Sequence, residues 1–548
     1  RDTKLEKDPE MKDKYAEKVE AYIKKGYARK LSPEEMVAHS DREWYLPHFP
    51  VTNPNKPGKV RLVFDAAAKI GKQSLNSFLL RGPDVFTIIT DVLLNFRIGS
   101  VAITGDLEEM FHQVAIRECD QPAQRFLWKG DVYQMVRMTF GSKSSPVTAH
   151  WVKNLNAEQL KDEYPLAYVP IVKNHYVDDW LDSFDSPSEA LEVARQVFET
   201  HKRGGFHMKD WNSNYQIVES QLTGIPQSDN TLDMSLEKEL ATQKVLGLQW
   251  GKTTDRFGFK VNYLDRLKLD PNDTPTKREF LRVLMSIYDV FGFLAPFTML
   301  GKMILQDIWR SKIDWNSEIM PEEQANFSKW ISQMSEIKKF SVPRRLSELA
   351  PDHDGAELHI FSDAGLGGFA CCVYLRTTKG SSIDIRLLGA KTRVSPPNGL
   401  SVPRQELQGF ILGIRWVDTI AQGLERMRVT KRIHWVDSKN CISWMNSNHR
   451  KYSIFVAHRI GEALDYFEKD TNRSYRYVPS AQNVADLATK WHDVDLSPSS
   501  YWIKGPEFLH QPENEWPAIV EAPSEPTSEE MKPCLAQSEV DAHIKWVV

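Results

Sequence analysis

Seven carboxylates, in two sets, are the residues of this sequence whose types and spacing point to chemistry. The first set centres on YVDD, Tyr176 to Asp179, two acids side by side where the flanking HYVDDWLDSF predicts a tight β-hairpin with Asp178 and Asp179 at its turn. Neighbours in a regular strand point to opposite faces, but at a turn both can reach one cavity. Unpaired there, they repel and push one pKa upward. A pair of divalent cations relieves that repulsion. Asp106, in TGDLEEMF, stands where a short apolar strand gives way to a helical pattern and supplies a third acid. Mg2+ favours hard oxygen ligands and keeps positions open for phosphate. Two Mg2+ or Mn2+ ions suit an in-line displacement in which a 3′-hydroxyl attacks and pyrophosphate leaves. A DD pair alone is usually a solvated turn, so the weight rests on its context.

The second set is Asp363 on a strand (FSDAG), Glu406 on a helix (PRQEL), Asp437 at a strand end (HWVDSK) and Asp486 opening a helix (NVADLATK). Strand ends and helix starts on one side of an α/β sheet converge on one site. Four acids without matching bases again imply two metal ions, here for phosphodiester hydrolysis. Any one of them is as readily a cap or a surface residue.

The elements that must position these acids can be read from patterning. Residues 1–30 are charge-rich and helical, with Tyr15, Val19, Tyr22, Ile23 and Ala28 near one face, and SPEE at 32–35 reads as a helix cap. TNPNKPGK at 52–59 predicts a turn leading into strand VRLVF at 60–64. WKGDVYQMVRM at 128–138 alternates as a hairpin, with Gly130-Asp131 as its turn. A loop is expected at 224–236, a long helical region at 276–310 and a linker at 341–356. After it, three strands, a helix, a strand, a helix, a strand and a last short helix give an α/β domain of order βββαβαβα. Beyond residue 496 the sequence is Ser/Pro/Glu-rich and reads as irregular, with an aromatic patch YWIKGPEFL at 501–509.

The 548 residues are 41% hydrophobic and 26% charged, ordinary globular usage that excludes a collagenous or largely disordered chain. No run is long and apolar enough to span a membrane. Five irregularly spaced cysteines (119, 371, 372, 441, 534) make no disulfide framework, which fits a reducing, intracellular location. The chain opens without Met or an apolar leader and is expected to be a piece of a longer one. The formal charge of −4 is uneven: from Gly505 onward nine Asp/Glu face two Lys/Arg, so a basic groove elsewhere is compatible with it.

KVRLVFDAAAK (59–69), SLNSFLLRGPD (74–84), ITGDLEEMFHQV (103–114), FGSKSSPVTAH (140–150), HYVDDWLDS (175–183), GGFHMKDWNSN (204–214) and VLGLQWG (245–251) occur in the order and spacing of a reverse transcriptase. The sequence resembles the reverse transcriptase/ribonuclease H segment of Bel/Pao-type LTR retrotransposon Pol polyproteins. The resemblance implies a right-hand polymerase of fingers, palm and thumb (1–265), a connection (266–350), a ribonuclease H-like domain (355–495) and an acidic tail toward integrase (496–548). It implies that Asp106, Asp178 and Asp179 bind the polymerase metals, and Asp363, Glu406, Asp437 and Asp486 those of the nuclease.

By the same resemblance Lys59 and Arg61 would hold the incoming triphosphate, a task suited to a guanidinium fork. Tyr176, Phe140 and Gly141 would border the nucleotide, Gly141 by close backbone approach. Phe111 matches the steric gate against a 2′-hydroxyl, or is a core phenylalanine. Lys209 is either the general acid to pyrophosphate or a surface lysine. Leu246, Gly247 and Trp250 match the primer grip. Two departures stand out: Phe140 where retroviral enzymes carry Gln, and Tyr477 where related retroelements often carry the loop histidine.

The implied partners are an RNA template, a DNA primer, the RNA–DNA hybrid and dNTPs, with protease and integrase regions in the same polyprotein and no membrane. The implied place is a cytoplasmic virus-like particle, with the nucleus as an alternative. Family nomenclature also labels the region near 230–390 a peptidase, yet no Asp-Thr-Gly or Asp-Ser-Gly occurs. Aromatics such as Trp309, Trp315, Trp435, Trp444 and Trp491 read first as core, and the basic run 426–432 as either a hybrid contact or a solvated turn. The alternative function is a non-catalytic, domesticated nucleic-acid binder, against which seven intact acids argue.

Overall fold

The computed structural model describes residues 8–38, 40–53, 56–224, 242–259, 273–349, 352–397, 399–518 and 527–532. Two compact units emerge: the first holds 1–88, 103–182 and 186–233, the second 89–102, 183–185 and 234–548.

In the first unit, helix α1 (Pro9–Lys24) starts on a proline behind the Asp8 cap and buries Tyr15, Val19 and Tyr22 of the expected apolar face, whereas Ala28 lies beyond the helix in a short strand, Ala28–Lys30. Ser32 and Glu35 form the expected capping box. Strands β1 (His48–Asn53) and β2 (Lys56–Phe64) pair as the expected hairpin. Strand β3 (Val101–Leu107) is buried at every position except Asp106, a run of apolar and small residues carrying one acid. Strands β4 (Arg125–Trp128) and β5 (Asp131–Met135) form a hairpin with Trp128 opposite Asp131. Its turn is therefore Lys129-Gly130, one residue earlier than expected, because both have the positive φ (+49° and +86°) that a right-twisted two-residue hairpin demands. Strands β6 (His175–Tyr176) and β7 (Asp179–Phe184) form the YVDD hairpin, and β8 (Met208–Ser213) completes a sheet of order β6-β7-β3-β8.

In the second unit, β9 (Thr242–Val245), β10 (Leu248–Gly251), β11 (Arg256–Gly258) and β12 (Val342–Pro343) form one antiparallel sheet. The expected helical region is two helices, α2 (Lys277–Ser286) and α3 (Ala295–Arg310), parted by a segment whose half-buried Asp289 accepts from the N–H groups of Gly292, Phe293 and Leu294. The stretch read as a linker is not one. Arg344 within it is fully buried and bonds Asp255 through Nε and Nη2 at 2.7 and 2.8 Å.

The α/β domain is a five-stranded sheet of β13 (Gly355–Gly365), β14 (Gly368–Lys379), β15 (Ser382–Val394), β16 (Val429–Val436) and β17 (Arg473–Tyr477). The order is β15-β14-β13-β16-β17, with the first three antiparallel and β16 and β17 parallel to β13. Helix α4 (Val402–Gln422) packs on β13 and β14. Two helices, α5 (Lys439–Met445) and α6 (Ile454–Glu468), rather than one, join β16 to β17. The expected last helix is a single 3-10 stretch, Val484–Ala488, capped by Asn483. Residues 501–516 are not irregular: Trp502, Phe508, Leu509 and Trp516 are buried, and Trp502 Nε1 donates to Phe293 O at 2.8 Å. Most of the expected 224–236 loop, Cys534 and the end of the acidic tail lie outside the described residues. Among the described residues no helix is long and apolar enough to cross a membrane.

Candidate active sites

In the first unit the sheet brings Asp106 to the YVDD turn. The Leu107 N–H donates to Asp178 O at 2.9 Å, fixing the hairpin against the end of β3. The turn residues are Val177 and Asp178, and Asp179 begins β7. Val177 has φ +58°, a left-handed conformation that a β-branched residue rarely adopts, so the turn is strained. The register sets Asp106 opposite Lys209, whose Nζ lies 3.9 Å from its carboxylate. Burial first, then the Asp178 charge, pushes Asp106 up to about 7, with Lys209 opposing and Asp179 and Asp210 adding. Asp178 is exposed at the tip yet hemmed in by protein; this desolvation raises its pKa against the pull of Arg61 and Lys209. Asp106, Asp178, Asp179, Arg61 and Lys209 thus share one electrostatic site. The Lys59 side chain and the tip of its hairpin lie outside the described residues.

Phe111 is half-buried, its ring 4.8 Å from that of Phe140. Phe140 also bonds through its carbonyl to Phe64 N–H, and Gly141, at φ +118°, lies so close to β2 that a Cβ would stand 1.8 Å from Phe64 O. Its missing side chain therefore serves the protein's own packing. Helix α1 braces this site, a role no local pattern signals: Lys18 and Lys25 each bond Glu109 at 2.8 Å, and Tyr22 Oη bonds buried His112 at 2.8 Å.

In the second unit Leu246 and Gly247 form a two-residue turn, both with positive φ (+43° and +98°). A Cβ on Gly247 would collide with the Tyr288 ring at 2.0 Å. Trp250 is fully buried and donates to Asp255 at 2.9 Å, so it supports this hairpin from beneath rather than presenting a face to a primer.

Asp363, only 6% exposed, lies in the buried run of β13 near its end, and Asp437 follows Val436, which pairs with Ser362 in the parallel register. Glu406 comes from α4, whose Gly409 backbone closes on β13. Asn483 donates to Ser362 O at 2.9 Å and draws the Asp486 turn in. Burial, with the charges of Asp437 and Asp486, pushes Asp363 up to about 7 against a hydrogen bond from Thr489. Burial and Asp437 raise Glu406, against a bond from Ser438. Lys490 pairs with Asp486. Ser438, Thr489 and Lys490 were missed by the sequence reading, although each lies within four residues of an acid. Tyr477 ends β17 level with Val436.

Both sets fit divalent ions. In each, one desolvated carboxylate, Asp106 or Asp363, has its pKa raised by neighbouring acids, and each has a lysine within 4 Å. Among the described residues no three His, Cys, Asp or Glu side chains close on a single point. Elsewhere, Trp435 and Trp444 are core residues, whereas Trp309 and Trp315 clasp Lys277, its Nζ 3.8 Å from the Trp309 centroid. In the basic run Lys431 pairs with Glu513 at 2.8 Å and Arg432 with Asp418 at 2.9 Å.

Residues 276–438 match the family model described as the Pao retrotransposon-like RNaseH-like domain, which bears out the Bel/Pao resemblance over that segment. The fold is similar to that of the foamy viral protease-reverse transcriptase. In one complex with double-stranded DNA the TM-score is 0.56 at 15% identity, over 86% of this chain and 70% of that one. A second such complex gives 0.56 at 14% identity, over 86% and 83%. A complex with an RNA/DNA hybrid gives 0.54 at 15% identity, over 88% and 56%. No curated protein matches the sequence.

Proposed function

We propose that the chain is the polymerase and ribonuclease H part of a retroelement, an RNA- and DNA-directed DNA polymerase that also cuts the RNA of RNA–DNA hybrids. The observation that carries this reading is the coupling of Asp106 to YVDD through the Leu107–Asp178 bond, repeated in kind by Asp363, Glu406, Asp437 and Asp486 at the sheet of a second fold. The sheet of β6-β7-β3-β8 is then the palm, β1 and β2 the fingers, and the turn at Leu246-Gly247 the primer grip of the thumb.

Asp106, Asp178 and Asp179 would hold two Mg2+ or Mn2+ ions, whose chemistry when bound is to lower the pKa of an attacking hydroxyl and offset charge on the leaving oxygen. The same holds for the four acids of the second set with water as nucleophile. Arg61 binds the triphosphate as a fork of donors. The half-exposed Phe111, braced by Phe140, excludes a 2′-hydroxyl. Lys209, across the register from Asp106, supplies a proton to pyrophosphate. The template, primer, hybrid and dNTPs are the substrates of this reading, and the foamy viral complexes with DNA and hybrid support it by their fold.

The test is primer extension on an end-labelled RNA template with dNTPs and Mg2+ or Mn2+, following both strands. Asp178→Asn should abolish synthesis and spare hybrid cleavage, and Asp437→Asn should do the converse. Loss of both activities from either change in a folded protein would overturn the two-site reading. Neither activity in a folded, hybrid-binding wild type would favour the non-catalytic binder.

A further inference from the structure

Within the second unit lies a cavity of about 530 Å³, bordered by β11, β12, β15 and the segment 498–510. Neither acid set touches it. Its polar lining is mainly basic: Arg97, Arg256, Arg386 and Lys504, with His510, against Asp384 and Glu507.

The arginines are incompletely satisfied. Arg97 is 1% exposed; its Nε donates to Arg344 O at 2.9 Å and its Nη2 to Pro343 O at 3.4 Å, while its Nη1 is buried without a partner. Arg386 meets Asp384 at 3.1 Å and Glu348 at 3.4 Å, but its Nε is likewise buried and unpartnered. Among the described residues Arg256 bonds Ser341 alone, through Oγ at 2.6 Å and O at 2.8 Å, and no carboxylate. Buried donors of this kind are nearly always satisfied in folded proteins, and an exception calls for an unseen partner. Burial, with the charges of Arg386 and Arg344, pulls Arg97 down to about 9, and Arg386 acts on Arg256 in the same sense. Three guanidinium groups therefore repel one another around a space whose own acids are Asp384 and Glu507. Guanidinium forks match phosphoryl oxygens in geometry and charge.

We propose that this cavity is an anion site for a phosphoryl group, with Arg97, Arg256 and Arg386 as its donors and Lys504 at its rim. The ligand chemistry is that of a phosphate or diphosphate, and its source is either a free small molecule or the backbone of a nucleic acid strand. The inference does not rest on catalysis at either acid set.

The test is pyrophosphate titration of the full chain by calorimetry and thermal unfolding in metal-free buffer, at constant ionic strength with chloride as the balancing salt. EDTA keeps the acid sets from recruiting pyrophosphate through a metal. The expected result is saturable binding and a rise in Tm with pyrophosphate. Arg256→Gln, whose side chain is partly exposed, should keep the unliganded Tm and weaken binding at least tenfold. Lys504→Gln, on the surface, should weaken it severalfold, which keeps the site testable if an Arg97 variant fails to fold. A fluorescent single-stranded oligonucleotide forms the second arm: displacement by pyrophosphate that Arg256→Gln abolishes would name the strand backbone as the source, and pyrophosphate binding without such competition a free phosphoryl compound. No binding at millimolar pyrophosphate, or equal binding by wild type and Arg256→Gln, would overturn the proposal.

Discussion

Gly409 and Asp363 meet backbone to backbone: a Cβ at 409 would stand 3.0 Å from Asp363 O and 3.4 Å from Ala370 O. This contact sets the depth at which α4 delivers Glu406 toward Asp437. Gly409→Ala should push the helix off the sheet by a few tenths of an ångström, cost about 1–3 kcal/mol and lower hybrid cleavage about tenfold. Synthesis should be unchanged. Cleavage and extension assays on one preparation check both, and an unaffected nuclease would show that the helix tolerates the methyl.

At Lys490 the expected effect is on metal demand. Its ammonium competes for Asp486, so Lys490→Met should lower the Mg2+ concentration for half-maximal cleavage by roughly two- to fivefold. A Mg2+ titration of the variant reads this directly. A rise instead would mean that Lys490 orients Asp486 for the ion.

Acid stability should carry the mark of Glu109. Burial works against its charge, yet Lys18 and Lys25 hold it at about 2, below the ordinary 4.5. A depressed carboxylate stabilises above its unfolded pKa, and this contribution is lost as pH falls from about 4.5 to 2. The shift corresponds to about 3 kcal/mol at neutral pH. Glu109→Gln should lose most of that at pH 7 and almost nothing at pH 2. Urea unfolding at both values checks the sign.

Arg344→Met should strand the Asp255 carboxylate, itself bonded by Trp250, and lower stability by about 3–5 kcal/mol. A thermal unfolding curve decides it, and an unchanged Tm would return 341–356 to the status of a linker.

Gly141→Ala combines a left-handed φ of +118° with a Cβ 1.8 Å from Phe64 O. The first unit should lose at least about 3 kcal/mol. Wild-type stability in the variant would show that the β2 contact yields.

What the sequence yielded and what it hid follow from range. Asp106 was legible because a buried strand breaks to admit one acid, and YVDD because a hairpin has local signals. The four acids of the second set were legible from strand ends and helix starts taken together. Arg344 looked like a linker residue because its meaning lies in Asp255 and Phe96, far along the chain. Trp502 and Leu509 sat in a Ser/Pro/Glu-rich context that said irregular, although their partners, Phe293 and Arg376, lie 209 and 133 residues earlier. The turn at Lys129-Gly130 was misplaced by one residue because Asp next to Gly is the commoner signal, while the backbone needed Gly second. Asp486 opens only a 3-10 turn, a distinction composition does not make.

The bond from Arg344 Nη1 to Phe96 O joins residues 248 apart, and 89–102 belongs to the second unit although most of the first is synthesised after it. On a ribosome moving at about 5–20 residues per second, this segment waits on the order of ten seconds to a minute for the arginine that covers it. Its apolar side chains, Val92, Leu93, Leu94 and Phe96, are all buried at the end. Cover for this segment from Arg344 thus has to wait on chain made long after it.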